Sequence, residues 1–598
     1  MIPAINASLT YASPVLCLSR STALGQLRRM HHGFTLCLFA FSLGATANTA
    51  QGSTEGKTMP GDHINNPQTT EFAGDVPQYL EQALAAGVQH RYEGPWEYFV
   101  GGGVSSFDCN QDRQPELYIA GGKNKASLFI NQSTVAGDLR FEAVQNSALN
   151  VTGVLGSYPI NIDNDAYMDL VVLRAGENLV FQGAENCSFK AANAKWKFNG
   201  GNAWTTSFSA TFENDSSYPT IAIGNYVDRS APGSPWGTCH DNELHRAAPG
   251  QTPGQTPDYE NAQPLSPGYC ALSMVFTDWN KSGSDALRIT NDRHYYRGGQ
   301  EQLWRLNSGR YPRLFGPSDG WEPLIIWGMG IAESDLNADG YPEYALTSMG
   351  DTKLQFLDLQ QAIEEDRPHY DDMAWTSGAT AHRPYTGDDP KPSTGWHAQF
   401  EDVNNDANLD LFIAKGNVEN MADFASYDPD NLLLGSATGQ FSEQGLAAGI
   451  ALNRRGRGAS VIDLNSDGLL DLVVVNRNDN VSIFRHTGMA SAHGSRPGGN
   501  WLKVELQQKG INRHAIGARL SIKTGNKVQT RRIQAGAGHA SGNAGFVHVG
   551  LGVAERATLR VQWPDGQWSA PFKLFANHHV VVERDKDYVH YWYPNDSQ

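Results

Sequence analysis

Short apolar runs rich in β-branched side chains recur along most of the chain, separated by polar turns. DLVVLRAG, DLFIAKGN and DLVVVNRN are examples, with KLQFLDL and NLLLG in the gaps between them. Runs of this length, bounded by Gly, Asn and Asp, predict strands. A second kind of run, such as WGMGIAESD or GRGASVID, mixes glycine with apolar residues and leads straight into an acidic stretch. No long segment holds a 3.6-residue apolar period, although YLEQALAAG at 79–87 predicts one short leading helix. The pattern is that of an all-β protein.

The acidic stretches repeat. Asp108, Asn110, Asp112 and Glu116 share a spacing with Asn161, Asp163, Asp165 and Asp169, and with Asp335, Asn337, Asp339 and Glu343. Asp402, Asn404, Asp406 and Asp410 form the fourth copy, and Asp463, Asn465, Asp467 and Asp471 the fifth. Two eroded copies fall in the intervening gap: Asp278, Asn280 and Ser282 are followed by Ala286 instead of an acid, and only fragments survive around Glu213. A unit of roughly 50–67 residues holding several short strands fits a four-stranded blade, and seven units predict a seven-bladed β-propeller.

Oxygen donors at positions 1, 3, 5 and 9 of a tight loop resemble the start of an EF-hand loop without its later glutamate or its flanking helices. Hard oxygen ligands with no local His suit calcium, so the expectation is structural Ca²⁺ at about five sites, with the Asp278 loop weak and the Glu213 loop empty. The competing reading is that these Asp and Asn side chains only stabilise turns. Converging carboxylates repel one another unless neutralised, so bound metal would be linked to blade stability.

The repeats resemble FG-GAP/VCBS repeats, the unit of integrin-alpha propellers. The stretch from Asn500-Trp501-Leu502 through Ile516-Gly517-Ala518, residues 536–538, Val549-Gly550-Leu551-Gly552 and Trp563-Pro564-Asp565-Gly566 is similar to the ASPIC/UnbV domain of the cartilage acidic protein-like family. The resemblance implies a propeller over residues 90–495 and an ASPIC/UnbV-like domain over 496–590, which WLKVELQQ and ATLRVQWPDGQ also mark as a small β-sandwich. It implies no particular activity.

Charge and cysteine narrow the setting. Lys and Arg total 46 against 63 Asp and Glu, a net charge of −17 over 598 residues, which argues against a nucleic-acid partner. Residues 33–43 are apolar, follow Arg28 and Arg29 and precede small residues, a secretory signal layout too short to span a bilayer. Residues 1–50 are therefore read as an N-terminal extension and signal peptide, with translation expected from Met30, and 51–89 as a leader. The mature chain is expected to be periplasmic or secreted, without an integral membrane segment. Cys109, Cys187, Cys239 and Cys270 would then meet an oxidising compartment, with Cys239–Cys270 the favoured disulfide and Cys109–Cys187 the second pair.

If the acidic loops join the first and second strands of each blade, residues after the second strand lie on the opposite face. That face would collect Arg174, Tyr226, Asp228, Arg229, Asp292, Arg293, His294, Asn417 and Arg477 as candidate ligand residues. Asp292, Arg293 and His294 include a possible general base and an anion clamp, or equally a hydrogen-bonded knot. Arg454, Arg455 and Arg457 are expected to pair with neighbouring acidic loops. Trp304, Trp327 and Trp396 are expected to fill blade cores or interfaces. No nucleophile-elbow, Walker or dinucleotide motif appears. The leading reading is a calcium-stabilised extracytoplasmic protein that binds a protein or glycan in adhesion or recognition. The alternatives are a secreted lyase- or dehydratase-type carbohydrate enzyme and an accessory protein of a secreted pathway. The sequence fixes no oligomeric state.

Overall fold

The computed structural model describes residues 75–213, 216–231, 237–293, 298–306, 311–322, 324–380, 391–419, 421–490 and 498–593. The signal-like segment lies outside them, as does His294. Among the described residues no helix is long and apolar enough to cross a membrane.

Seven four-stranded antiparallel sheets make up the ring, six of them meanders of consecutive strands, with hub strands Val104–Phe107, Val154–Ile160, Thr205–Thr211, Ala271–Thr277, Gly328–Ser334, Ser393–Glu401 and Gly456–Ile462. The fifth and sixth are joined where Met349 pairs with Thr394. Each hub strand packs on the next, and that of the seventh sheet packs on that of the first, so the sheets close into a propeller ring. A hub strand is covered on both faces, so it cannot alternate apolar with polar. Val154–Ile160, Thr205–Thr211 and Ala271–Thr277 are buried at every position. Their small hydroxyls are satisfied across the hub, as where Ser105 Oγ donates to the Ser157 carbonyl at 2.7 Å.

The expected helix at 79–87 is not there. Pro77–Glu81 is instead the fourth strand of the seventh sheet, paired antiparallel with Ser482–Met489, and residues 83–87 form turns. The ring therefore begins before residue 90. The apolar spacing that suggested a helix places Tyr79 in the seventh sheet's core and Ala83 and Ala86 in the core of the first. Tertiary pairing overrides a weak local preference there.

Both expected disulfides form. Cys109–Cys187 ties the first acidic loop to the second sheet, and Cys239–Cys270 ties a long connection of the third sheet to the start of the fourth. Trp304 and Trp396 are buried as expected, but Trp327 is 39% exposed.

Two four-stranded sheets build the C-terminal domain around Leu502, Val504, Leu520, Ile522, Leu559, Val561, Val580 and Val582. Its Gly-rich segment 535–545 runs into the hub. Ala535–Gly536 pairs with the third sheet's hub strand, Gly542–Asn543 with the first sheet's, and Gly538 bridges Ile331 of the fifth. Gly103 and Gly156 explain part of the glycine content before the acidic loops, because a Cβ at either would collide with the Ala540 carbonyl. His539 lies at the centre, fully buried, its backbone N–H donating to His397 Nδ1 at 3.1 Å and its own Nδ1 3.2 Å from the Leu272 carbonyl.

Candidate functional site

The five acidic loops adopt one conformation. In each, position 9 is the first residue of the second strand: Glu116, Asp169, Glu343, Asp410 and Asp471. One oxygen of that carboxylate accepts the position-2 N–H in all five, at 2.8 Å from Cys109, 2.7 Å from Ile162, 2.6 Å from Leu336, 2.9 Å from Val403 and 3.0 Å from Leu464. Position 5 caps position 7 in the same way, as where Leu469 N–H donates to Asp467 Oδ1 at 2.9 Å. Position 4 is left-handed throughout, at Gln111, Asn164, Ala338, Asn405 and Ser466. Position 6 is also left-handed at Gly340 and Gly468, where the DG dipeptide supplies the residue that conformation favours.

Turn bonds do not exhaust the donor set. Glu116 Oε1, Asn161 Oδ1, Asp335 Oδ1 and Asn465 Oδ1 are buried without a hydrogen-bond partner. Burial, reinforced by the loop's other carboxylates, raises Asp108 and Asp467 to about 6, Asp402 to about 8 and Glu343 to about 9. An all-oxygen set that is costly to ionise and partly unpartnered fits a hard divalent cation. Among the described residues, the one group of three His, Cys, Asp or Glu ligand atoms within 4.8 Å of one another is Cys109, Glu116 and Cys187. Its sulfurs are joined in a disulfide and are not free thiolates.

In the two eroded copies an arginine supplies the positive charge. Arg519 reaches Asp278 Oδ2 at 3.0 Å, and Arg246 Nε reaches Glu213 Oε1 at 2.6 Å. Asn280 turns to Asp366, and Ser282 Oγ lies 3.4 Å from Asp278 Oδ1.

The acidic ends of the blades are where the C-terminal domain docks, which the sequence did not indicate. Lys503 is buried with its Nζ 3.7 Å from Asp463 Oδ2 and 3.7 Å from the Phe546 ring centroid, without a hydrogen-bond partner. Arg113 of the first loop pairs with Glu505 at 3.0 Å, and Arg532 with Asp285 at 2.6 Å. Arg531 lies within electrostatic reach of Glu401, Asp402 and Asp335. Gly550 packs so closely on Asp402 that a Cβ there would overlap its carboxylate.

At the opposite ends of the strands, the expected ligand residues fall into separate groups. Tyr226, Asp292 and Arg293 come together but are buried: Tyr226 hydrogen bonds to Asp292, and Arg293 donates to the Tyr226 hydroxyl at 2.9 Å. Asp292 and Arg293 thus form the hydrogen-bonded knot. Asn417 holds its own loop through the carbonyls of Met421, Phe424 and Ala425, and Arg477 is buried against Glu419 and the Gly94 carbonyl. Arg174 donates to the carbonyls of Thr152 and Glu177.

Arg454, Arg455 and Arg457 do not serve the acidic loops. Arg457 is buried, donates to carbonyls including that of Phe99 and stacks 4.2 Å from the Trp396 ring centroid, while Arg455 meets Glu419 and Arg454 meets Asp479. Asp228 and the exposed Arg229 do line an open cleft, of about 400 Å³, with Asn178, Asn202, His240 and Glu243. His240 Nε2 stands 3.2 Å from Asp228 Oδ1.

Residues 402–474 match the FG-GAP-like repeat, and residues 508–588 match the ASPIC and UnbV family. The chain is thus an FG-GAP-repeat β-propeller carrying a C-terminal ASPIC/UnbV domain, a fold that suggests a binding role. It is similar to cartilage acidic protein 1: 25% identical over 279 residues to the Mus musculus protein, covering 45% of this chain and 38% of that one. Against the Xenopus tropicalis protein it is 32% identical over 118 residues, covering 19% of this chain and 17% of that one. The match thus spans well under half of these relatives' length. Among solved structures the Dos1 propeller is 10% identical, covering 69% of this chain and 97% of that one, with a TM-score of 0.31.

Proposed function

We propose that the protein is a calcium-stabilised binding protein acting outside the cytoplasm, which takes a protein or glycan ligand in the cleft around Asp228, Arg229 and His240. The observation that supports it most is the set of five acidic loops, whose buried oxygens at Glu116, Asn161, Asp335 and Asn465 lack partners. In each loop, positions 1, 3, 5 and 9 and the position-7 carbonyl would hold the ion. Calcium would neutralise carboxylates that the fold otherwise keeps buried against one another. The two disulfides suit an oxidising compartment.

Two measurements test this. Elemental analysis should find calcium in the purified protein, and its removal with a chelator should lower Tm; an unchanged Tm in protein shown to be metal-free would refute the structural role. Screening glycans and peptides against wild type and Asp228→Asn should find a ligand whose affinity falls about tenfold in the variant, a change of about 1.4 kcal/mol. Turnover of a bound glycan in place of simple release would refute a binding role and favour an enzyme.

A further inference from the structure

The C-terminal domain leaves the outer face of one sheet in solvent. Along Arg519–Thr524, Arg556–Gln562 and Phe572–Phe575, alternation sends Leu520, Ile522, Leu559, Val561 and Leu574 into the core. The same alternation turns Lys523, Arg556, Arg560, Lys573 and Phe575 outward, all of them exposed. These strands and their neighbour Lys527–Arg532 contain no Asp or Glu, in a chain of net charge −17.

The register orders the charges. Lys523 lies opposite Thr558, Thr558 opposite Lys573, and Arg556 opposite Phe575. With neighbouring strands about 4.8 Å apart, the two lysines stand on strands roughly 10 Å apart. Lys523, Arg556, Thr558, Lys573 and Phe575 line a groove of about 360 Å³. Arg556 lies 4.9 Å from the Phe575 ring centroid and Arg560 4.8 Å from that of Trp568, and the two rings are 53% and 46% exposed. Among the described residues no carboxylate lies in ion-pair range of Lys523, Arg556, Arg560 or Lys573, whereas Arg519 and Arg532, on the ring side, are both paired.

We propose that this face is a docking surface for an anionic polysaccharide, a polymer of pyranose rings bearing carboxylate or sulfate groups. A cationic row without internal counter-ions recruits a polyanion, and guanidinium groups bind carboxylate or sulfate oxygens in a bidentate fashion. Phe575 and Trp568 supply what a bare charge row lacks, exposed apolar rings on which the C–H face of a sugar packs. The surface is separate from the Asp228 cleft, so the two assignments stand or fall independently.

The test uses the full disulfide-bonded chain, with alginate as the probe, neutral dextran as the uncharged control and phosphatidylglycerol vesicles as the lipid control. Alginate should bind with an affinity that falls as salt rises, and dextran and vesicles should not bind. Lys523→Glu with Lys573→Glu should weaken alginate binding at least tenfold, and Phe575→Ala three- to tenfold. Lys125→Glu, an exposed position in the loop before Ser127–Asn131, should leave it unchanged, with Tm preserved throughout. The assignment is overturned if alginate does not bind, if dextran or vesicles bind as well, or if the charge-reversed variant binds like wild type. Loss in the lysine variant without loss in Phe575→Ala also overturns it, in favour of a purely electrostatic polyanion site.

Discussion

His539 and His397 meet at the centre of the hub, where both rings are buried. Burial lowers His397 to about 4 and His539 to about 3, and the Nε2 of each has no hydrogen-bond partner. Both folded values lie below the ordinary 6.5, so the stability these rings contribute is complete above that pH and is lost as pH falls from 6.5 towards 4 and 3. At pH 4.5 the loss is about 2–3 kcal/mol for each ring as an upper bound. Acid should therefore loosen segment 535–545 early. Amide exchange of that segment should accelerate between pH 7 and 4.5 in the wild type, and His539→Gln should flatten the dependence.

At the scale of the element, the seventh sheet depends on a strand from the other end of the chain. Tyr79 packs on that sheet's core, with its ring 4.9 Å from that of His486. Tyr79→Ala should cost about 2–4 kcal/mol in denaturant unfolding, in line with other buried aromatic truncations; a cost below about 1 kcal/mol would show that the ring closes without it. The acidic loops and the strands around them were legible in the sequence because their information is local: a fixed donor spacing, then β-branched residues. Pro77–Glu81 was not, because its partner Ser482–Met489 lies at the far end of the ring. The segment around His539 was ambiguous for the same reason. A Gly-rich stretch reads equally as a loop that binds something or as a long hairpin turn, and the close approach of Ala540 to Gly103 and Gly156 exists only once the ring is assembled. Asp292, Arg293 and His294 read equally as a base with an anion clamp or as a knot; the burial of Asp292 and Arg293 against Tyr226 depends on a residue some 66 positions away, which no local pattern announces.

For the whole molecule, the C-terminal domain acts as part of the propeller's charge balance. Lys503 faces acids from two blades, Asp108 of the first and Asp463 and Asp467 of the seventh, while burial pushes its ammonium down. An ammonium so near a candidate ligand oxygen competes with a divalent cation, by at least about 1 kcal/mol. Lys503→Met should tighten calcium binding about three- to tenfold and lower the Tm of the metal-free protein, both measurable by calorimetry. Unchanged calcium affinity would mean that the ammonium and the ion do not share the site.

The pairing of Pro77 with Met489 also sets an order of assembly. A strand near the start of the described chain must wait, unpaired, until its partner about 400 residues later exists, a closure that costs about 5 kcal/mol in chain entropy by itself. Until the two strands pair, each presents an open edge, and such an edge invites pairing with another chain. The ring therefore becomes safe from aggregation only when its last sheet is complete, and conditions that slow that final step should trap misassembled chains well before they weaken the finished protein.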